Sequence, residues 1–123
     1  MKTMGKAQKI AAILEEIAHP ARLAILLSIG SEEACVCHLE ALLGRRQAYI
    51  SQHLMALRDA GILLTRREGK FIFYRLRDPM LLKLIELAAR LENVDISGVP
   101  TSAACSCPNC APKHEEEFAY SPG

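Results

Sequence analysis

The chain has 123 residues, enough to bury one hydrophobic core but with little room for a second domain. Half of the residues are hydrophobic, yet Trp is absent and aromatic residues make up only 5%, which favours helices packed through Leu, Ile and Ala over a β-sandwich. The net charge of +1 excludes a uniformly basic or acidic protein.

The hydropathy and the N-terminal stretch also indicate the cellular compartment. No apolar run reaches the roughly 18 to 20 residues that span a bilayer, and the stretch MKTMGKAQKIAAILEE turns acidic where a signal peptide would continue apolar. We therefore expect a cytoplasmic protein. In that reducing compartment the five cysteines would not form a permanent disulfide framework, so metal binding, redox sensing or plain burial must explain them.

Basic residues are concentrated in one region. Residues 45–77 contain eight basic and two acidic side chains, a surplus of six positive charges, so the rest of the chain has five more acidic than basic side chains. Such a block is typical of a nucleic-acid surface, although a solvated helical face can also hold several of these residues.

Four helices are predicted in the first half of the chain. Apolar residues at helical spacing indicate a first helix over residues 5–17, and HPARLAILLSIG indicates a second that begins at Pro20 and stops at Gly30. CHLEALLG predicts a short third helix closed by Gly44, and RRQAYISQHLMALRDAG a fourth that Gly61 ends. The third and fourth form a helix-turn-helix.

A hairpin, a last helix and a tail follow. ILLTRRE and KFIFYRLR predict two strands whose tip needs the positive φ that Gly69 allows. An Asp-Pro pair opens the last helix, DPMLLKLIELAARLEN, whose apolar residues cover more than one face and so predict packing, perhaps with the first helix, on a second copy. Gly, Pro, Ser and a Glu run then divide the chain into a domain of residues 1–93 and a flexible Cys-rich tail of residues 94–123.

This order of elements predicts an α+β, mainly α fold, the winged helix-turn-helix. The fourth helix would enter the DNA major groove, and the basic hairpin, or wing, would contact phosphates. The residues expected at DNA are Gln47, Tyr49, Ser51, Gln52 and His53 on the helix and Arg66, Arg67 and Lys70 on the wing. An amphipathic helix whose polar residues only face water is the alternative, and the basic hairpin directly after it favours DNA binding.

Four motifs resemble, in order and spacing, the ArsR/SmtB family of bacterial metal-responsive repressors: HPARLAILLSI, CVCHLEALLG, SQHLMALRDAGIL and RREGKFIFYRL. The resemblance runs from about Ile10 to Leu91. It implies a homodimer with the first and last helices at the interface, which binds double-stranded operator DNA and represses transcription until an inducer releases it. A two-fold dimer would bind an imperfect inverted repeat.

The resemblance also implies an inducer site. Many family members hold soft metals on the thiols of a CVC-Asp-Leu box, which the match places at Cys35 and Cys37. His38 replaces the usual Asp, and Glu40 and Ala41 stand where arsenic-responsive members often carry a third Cys. We expect no second site of the kind that zinc sensors have on the last helix, because that helix contains no His.

The spacing of the two cysteines constrains their geometry, since residues i and i+2 of a regular helix point to nearly opposite sides. If the helix begins at about Cys37, Cys35 lies in extended chain and its thiol can turn back, with His38 in reach. Two thiolates leave Cd²⁺, Pb²⁺, Zn²⁺ or As(III) short of its three or four ligands. The further donors expected, given across the dimer, are Cys105, Cys107 and Cys110 of the tail motif CSCPNC.

Three functions stay open at this point: a soft-metal or As(III) sensor, a repressor of the same fold that senses oxidants or reactive sulfur through a reversible disulfide, and an enzyme. For the paired cysteines the alternative is burial as small hydrophobes, and for the tail an independent thiol cluster. The sequence offers no carboxylate pair, nucleophile–base pair or phosphate-binding glycine loop, so we predict a repressor and no enzyme.

Overall fold

The structure is a computed structural model that describes residues 2–101, and the tail cysteines Cys105, Cys107 and Cys110 lie outside these residues. In chain order the elements are α1 (Lys2–Ile17), α2 (Pro20–Ile29), β1 (Glu33–Cys35), α3 (Val36–Leu43), α4 (Gln47–Asp59), β2 (Leu63–Glu68), β3 (Phe71–Leu76) and α5 (Met80–Leu91). Over residues 2–101, no helix combines the length and the hydropathy needed to cross a membrane.

The predicted winged helix-turn-helix is confirmed, with shifts at element boundaries. Helix α1 begins at Lys2 rather than at residue 5, and α3 begins at Val36, one residue before the predicted start. Asp78 caps the last helix as predicted, since its Oδ1 accepts the N–H of Met80 at 2.9 Å. Strand β1 was not predicted, because three residues are too few to show an alternating pattern.

The three strands form one antiparallel sheet in the order β1-β3-β2. Strand β3 is central, and its Phe73 lies opposite Cys35 of β1 on one side and Arg66 of β2 on the other. Gly69 forms the tip of the β2–β3 hairpin with φ of +59°, a backbone conformation that glycine adopts without strain. The wing therefore shares a sheet with the segment that carries the first cysteine.

Helix α4 is fixed to the core by one face. Ile50, Leu54 and Leu57 are each 0% exposed, at the spacing that a helix needs to bury one stripe. Gly44 ends α3 in the left-handed conformation, where its N–H donates to the Glu40 carbonyl at 2.8 Å. Because that turn is short and the stripe is buried, α4 presents its other faces outward.

Helices α1 and α5 leave much apolar surface uncovered. Ile10 of α1 is 59% exposed, and Leu87 and Leu91 of α5 are 57% and 85% exposed. Buried Leu81 and Ile85 account for one face of α5, so the predicted second apolar face is present and is exposed in the single chain. An apolar groove of about 400 Å³ runs between the two helices.

Leu54→Ala should lower the free energy of unfolding by about 2–5 kcal/mol, because it removes a fully buried side chain and leaves a cavity. Met55→Ala on the same helix is the control. Its side chain is 49% exposed, so the loss should stay below about 1 kcal/mol. Urea unfolding of both variants at one protein concentration measures the difference, and equal losses would contradict the burial of this stripe.

Candidate functional site

The N-terminal half of α4 carries the polar side chains that the sequence assigns to DNA. Gln47, Tyr49 and Gln52 are exposed, whereas Ser51 and His53 are half-buried. The guanidinium of Arg45 lies 5.3 Å from the centre of the Tyr49 ring, which places a cation beside this exposed aromatic side chain. The helix thus offers hydrogen-bonding groups and positive charge on one accessible surface.

His53 is held against α2 rather than pointing freely to solvent. The Nε of Arg22 donates to its Nδ1 at 3.2 Å, and its ring contacts Tyr49 edge-on with centroids 4.9 Å apart. Burial, followed by the charge of Arg22 and then by His19, lowers the pKa of His53 below its ordinary value. The neutral imidazole is therefore favoured at neutral pH.

The wing residues differ in their surroundings. Arg67 and Lys70 are exposed, and the ammonium of Lys70 lies 5.5 Å from the centre of the Phe71 ring. Arg66 instead donates from its Nε to Oε1 of Glu33 at 3.1 Å and is also paired with Glu68. Two of the three predicted phosphate-contacting residues are therefore available at once, and the third is engaged by carboxylates.

The environment of Arg66 joins the wing to the sheet. Its guanidinium carbon lies 4.6 Å from the centre of the Phe73 ring, which is fully buried. The hydrogen bond that Arg66 donates to Glu33 raises the pKa of Arg66, and the negative charge of Glu33 adds to this effect. Arg66 thus stays positively charged, and the carboxylate of Glu33 in β1 partly neutralises that charge.

The two cysteines of the ACVC stretch lie together. Cys35 is the extended residue before α3, with φ −91° and ψ 172°, and its Sγ is 2.9 Å from that of Cys37. Cys35 is only 2% exposed and packs on Phe73, whereas Cys37 is half-buried. The helix boundary therefore brings both sulfur atoms to one place, as the sequence analysis predicts.

His38 contacts the chain that follows α5. It is 6% exposed, and its Nε2 lies 2.7 Å from the carbonyl oxygen of Thr101. Within residues 2–101, no group of three His, Cys, Asp or Glu side chains could hold a metal ion. The predicted donors Cys105, Cys107 and Cys110 lie outside the described residues, four or more positions after Thr101.

Four residues that shape this site were not predicted from the sequence. Arg22 belongs to a motif that predicted the second helix and the family resemblance but no role for this side chain, although a charged residue in an apolar helix is itself a signal. Glu33 lies in strand β1, which was not predicted, and Phe73 of β3 pairs with that strand. Thr101 stands in a segment that was predicted to be tail. No local pattern could have paired Glu33 with Arg66, because 33 positions separate them.

Comparisons with known proteins agree with this architecture. A family model described as bacterial regulatory protein, arsR family, matches residues 19–64. The biofilm growth-associated repressor of Agrobacterium fabrum is 47% identical over 81 residues, which cover 66% of this chain and 69% of that protein. The arsenical resistance operon repressor of Escherichia coli is 36% identical over 92 residues, covering 72% of this chain and 79% of that protein.

A solved structure supports the same assignment. Reduced HlyU from Vibrio cholerae superposes with a TM-score of 0.67 and 33% sequence identity, covering 73% of this chain and 95% of that chain. The similarity therefore extends over nearly the whole of that relative. Together with the exposed polar face of α4 and the basic wing, these similarities show that the chain belongs to the ArsR family of DNA-binding transcriptional repressors and is not an enzyme.

Proposed function

We propose that this repressor releases its operator when a soft metal ion or As(III) binds the thiolates of Cys35 and Cys37. The observation that carries the proposal is the 2.9 Å separation of the two sulfur atoms, which lie in a small apolar cluster with Phe73 of the wing strand β3. Buried structural cysteines need no partner sulfur, whereas two sulfurs at one point form a bidentate soft ligand.

The geometry fits metal binding after a small adjustment. Two metal–sulfur bonds of about 2.3 Å at a tetrahedral angle hold their sulfurs about 3.8 Å apart, so the pair needs to open by about 1 Å. Rotation about the Cα–Cβ bond of the half-buried Cys37 supplies that movement. Two thiolates still leave Cd²⁺, Pb²⁺, Zn²⁺ or As(III) with one or two ligands to find.

The tail is the proposed source of those ligands. Thr101 reaches His38 beside the cysteine pair, and Cys105 follows it by four residues. Four residues of chain span at most about 14 Å, so a tail thiol can reach Cys37 from the same subunit. Among Cys105, Cys107 and Cys110, the contact to His38 thus favours donation within one chain over donation across a dimer.

Strand β3 connects the proposed inducer site to the wing. Cys35, Phe73 and Arg66 lie in one row across the three strands, so opening the sulfur pair changes the packing on Phe73 and the position of Arg66. The inducer can release DNA only if it binds the DNA-incompetent arrangement more tightly. A typical coupling changes operator affinity by about 5- to 150-fold.

The repressor is proposed to act as a homodimer on an imperfect inverted repeat. The uncovered apolar faces of α1 and α5 supply a surface that a second copy would bury, including Ile10 and Leu87. A two-fold axis then presents two copies of α4 to the DNA about one helical turn apart. Each wing would follow the phosphate backbone on the outer side.

A thiol-based redox or reactive-sulfur switch is the second candidate. One similar structure is that of HlyU in a form described as reduced. Two thiols and a hydroperoxide would give a disulfide, an alcohol and water, the peroxide accepting the two electrons. The paired sulfurs and the adjacent tail suit this chemistry too, so the two candidates need an experiment to separate them.

Cys35→Ala and Cys37→Ser should leave operator affinity within about twofold of the unmodified protein and abolish release by the inducer, because they remove sulfur ligands and no DNA contact. Alanine at position 35 keeps a small apolar side chain at this 2% exposed position, so it tests chemistry rather than burial. Operator binding is measured by fluorescence anisotropy during titration with Cd²⁺, with As(III) and with a hydroperoxide.

Thiolate-to-metal absorption during the Cd²⁺ titration separates the two candidates. A metal sensor develops this absorption and loses its operator in the same titration. A redox switch loses its operator with the hydroperoxide, together with two titratable thiols, and reductant restores binding. A Cys35→Ala protein that still responds fully to every inducer would rule out both.

Replacing Cys105, Cys107 and Cys110 together by Ser should lower Cd²⁺ affinity more than about tenfold and preserve operator affinity, because the metal then lacks thiolate ligands. Truncation after Thr101 should have the same effect, since the contact to His38 remains. Isothermal titration with a competing chelator measures the affinities. Unchanged Cd²⁺ affinity in both variants would confine the site to Cys35, Cys37 and His38.

Glu33→Gln should strengthen binding to random DNA and steepen its salt dependence by about 0.9 in the log–log slope, because Arg66 is released to neutralise one more phosphate. Glu32→Gln is a matched control that removes the same charge from the exposed neighbouring residue. Binding to random duplex DNA over a range of KCl concentrations gives both slopes. Identical slopes in the two variants would show that Glu33 does not restrain Arg66.

A further inference from the structure

Arg22 joins three helices through a side chain whose exposed fraction is only 15%. Its Nη1 donates to both the carbonyl oxygen and the Oε2 of Glu16 in α1, each at 2.9 Å. Its Nε donates to Nδ1 of His53 in α4 at 3.2 Å. One guanidinium thus connects the end of α1 with the helix that carries the predicted DNA contacts.

The direction of the hydrogen bond determines which imidazole nitrogen carries the proton. A guanidinium has only donors, so Nδ1 of His53 must accept and cannot be protonated. A neutral imidazole carries one proton, which is then on Nε2. The Arg22 contact therefore selects one tautomer and turns the N–H side of the ring away from α2.

We propose that Arg22 is a positioning residue for DNA reading: by donating to Nδ1, it fixes His53 of α4 as an Nε2–H hydrogen-bond donor for the operator. The acceptor is a phosphate oxygen or a base-edge oxygen or nitrogen, which share this chemistry. The inference rests on operator binding through α4, as set out under the proposed function.

The groups around His53 keep it in that form. Arg22 faces it from α2, His19 from the α1–α2 link with ring centroids 6.2 Å apart, and Tyr49 from the preceding turn of α4. Glu16 of α1 holds the far side of the Arg22 guanidinium. Protonation at Nδ1 would set an imidazolium directly against Arg22, so acid breaks the contact and releases the ring.

Glu16 has a part in this arrangement because it orients the guanidinium. The Nη1 atom makes two hydrogen bonds to one residue, which leaves Nε directed at His53. Lysine has a single ammonium on a flexible stem and cannot make the same fork. Arg22→Lys therefore keeps the charge of the site and loses the orientation, which makes it the informative variant.

Nitrogen NMR of the histidine rings, without DNA, tests the tautomer. At pH 7.5 the free protein should show His53 protonated on Nε2 and bare on Nδ1, and Arg22→Gln should give a mixture of tautomers and a higher pKa for His53. Arg58→Gln is the control, because that α4 arginine is bonded to its exposed neighbour Asp59. His53 protonated on Nδ1 in the unmodified protein would overturn the proposal, whatever the DNA results.

A double-mutant cycle tests the consequence for DNA. Arg22→Gln and Arg22→Lys should each lower operator affinity about five- to tenfold at pH 7.5, the loss expected for one misplaced hydrogen bond. In a His53→Ala background, Arg22→Lys should have no further effect, because it acts through His53. A full additional loss in that background would overturn the positioning role.

The DNA used in the cycle identifies the acceptor. Losses confined to the operator indicate a base edge, and equal losses on operator and random duplex indicate a phosphate. If the acceptor is a base edge, operator affinity of the unmodified protein should also fall, relative to random DNA, as pH drops through the pKa of His53. If the unmodified protein binds the operator but substitution of Arg22 does not change that affinity, this inference alone is contradicted. If the unmodified protein binds no operator, the proposed function is contradicted.

Discussion

The buried ring of Phe73 connects the cysteine pair to the wing of this repressor. Its ring is fully buried at the centre of the small sheet, with Cys35 packed on one side and the Arg66 guanidinium 4.6 Å from its centre on the other. A buried aromatic ring cannot move without displacing its neighbours, because protein interiors are packed as densely as organic crystals. The cysteine pair and the wing therefore pack on the same buried ring, although 31 positions separate Cys35 from Arg66 in the sequence.

The basic side chains near α4 and on the wing lie in two kinds of environment. Arg67 and Lys70 extend to solvent, where they would attract phosphates in the proposed DNA complex and salt would screen that attraction. Arg22 and Arg66 are instead held by carboxylates from other elements, Glu16 and Glu33. A count of basic residues alone would therefore overestimate the positive charge that is available to DNA.

The fold was largely predictable because its helices are long enough to show period and its turns carry diagnostic glycines. The buried stripe of α4 follows directly from Ile50, Leu54 and Leu57, and Gly69 marks the hairpin tip. The approach of the two cysteine sulfurs was also predictable, since it follows from where α3 begins. Strand β1 was not, because its three residues become a strand only when β3 supplies the hydrogen bonds.

Side-chain partners across the structure were the less predictable part of the site. The sequence assigns Arg66 to phosphates and His53 to DNA by position alone, and it cannot show that Glu33 and Arg22 restrain them. The return of residues 94–101 to His38 was hidden for a similar reason. Such contacts depend on elements far apart in the chain, and local composition carries no information about them.

The burial of Cys35 limits how fast an inducer of the proposed kind could bind both cysteines. Cys37 is half-buried, whereas Cys35 is 2% exposed and packs on Phe73. For the proposed inducer to gain Cys35 as a ligand, the packing of β1 on Phe73 has to loosen first. The response would then saturate with inducer concentration, its maximal rate being that of the local opening and not of diffusion.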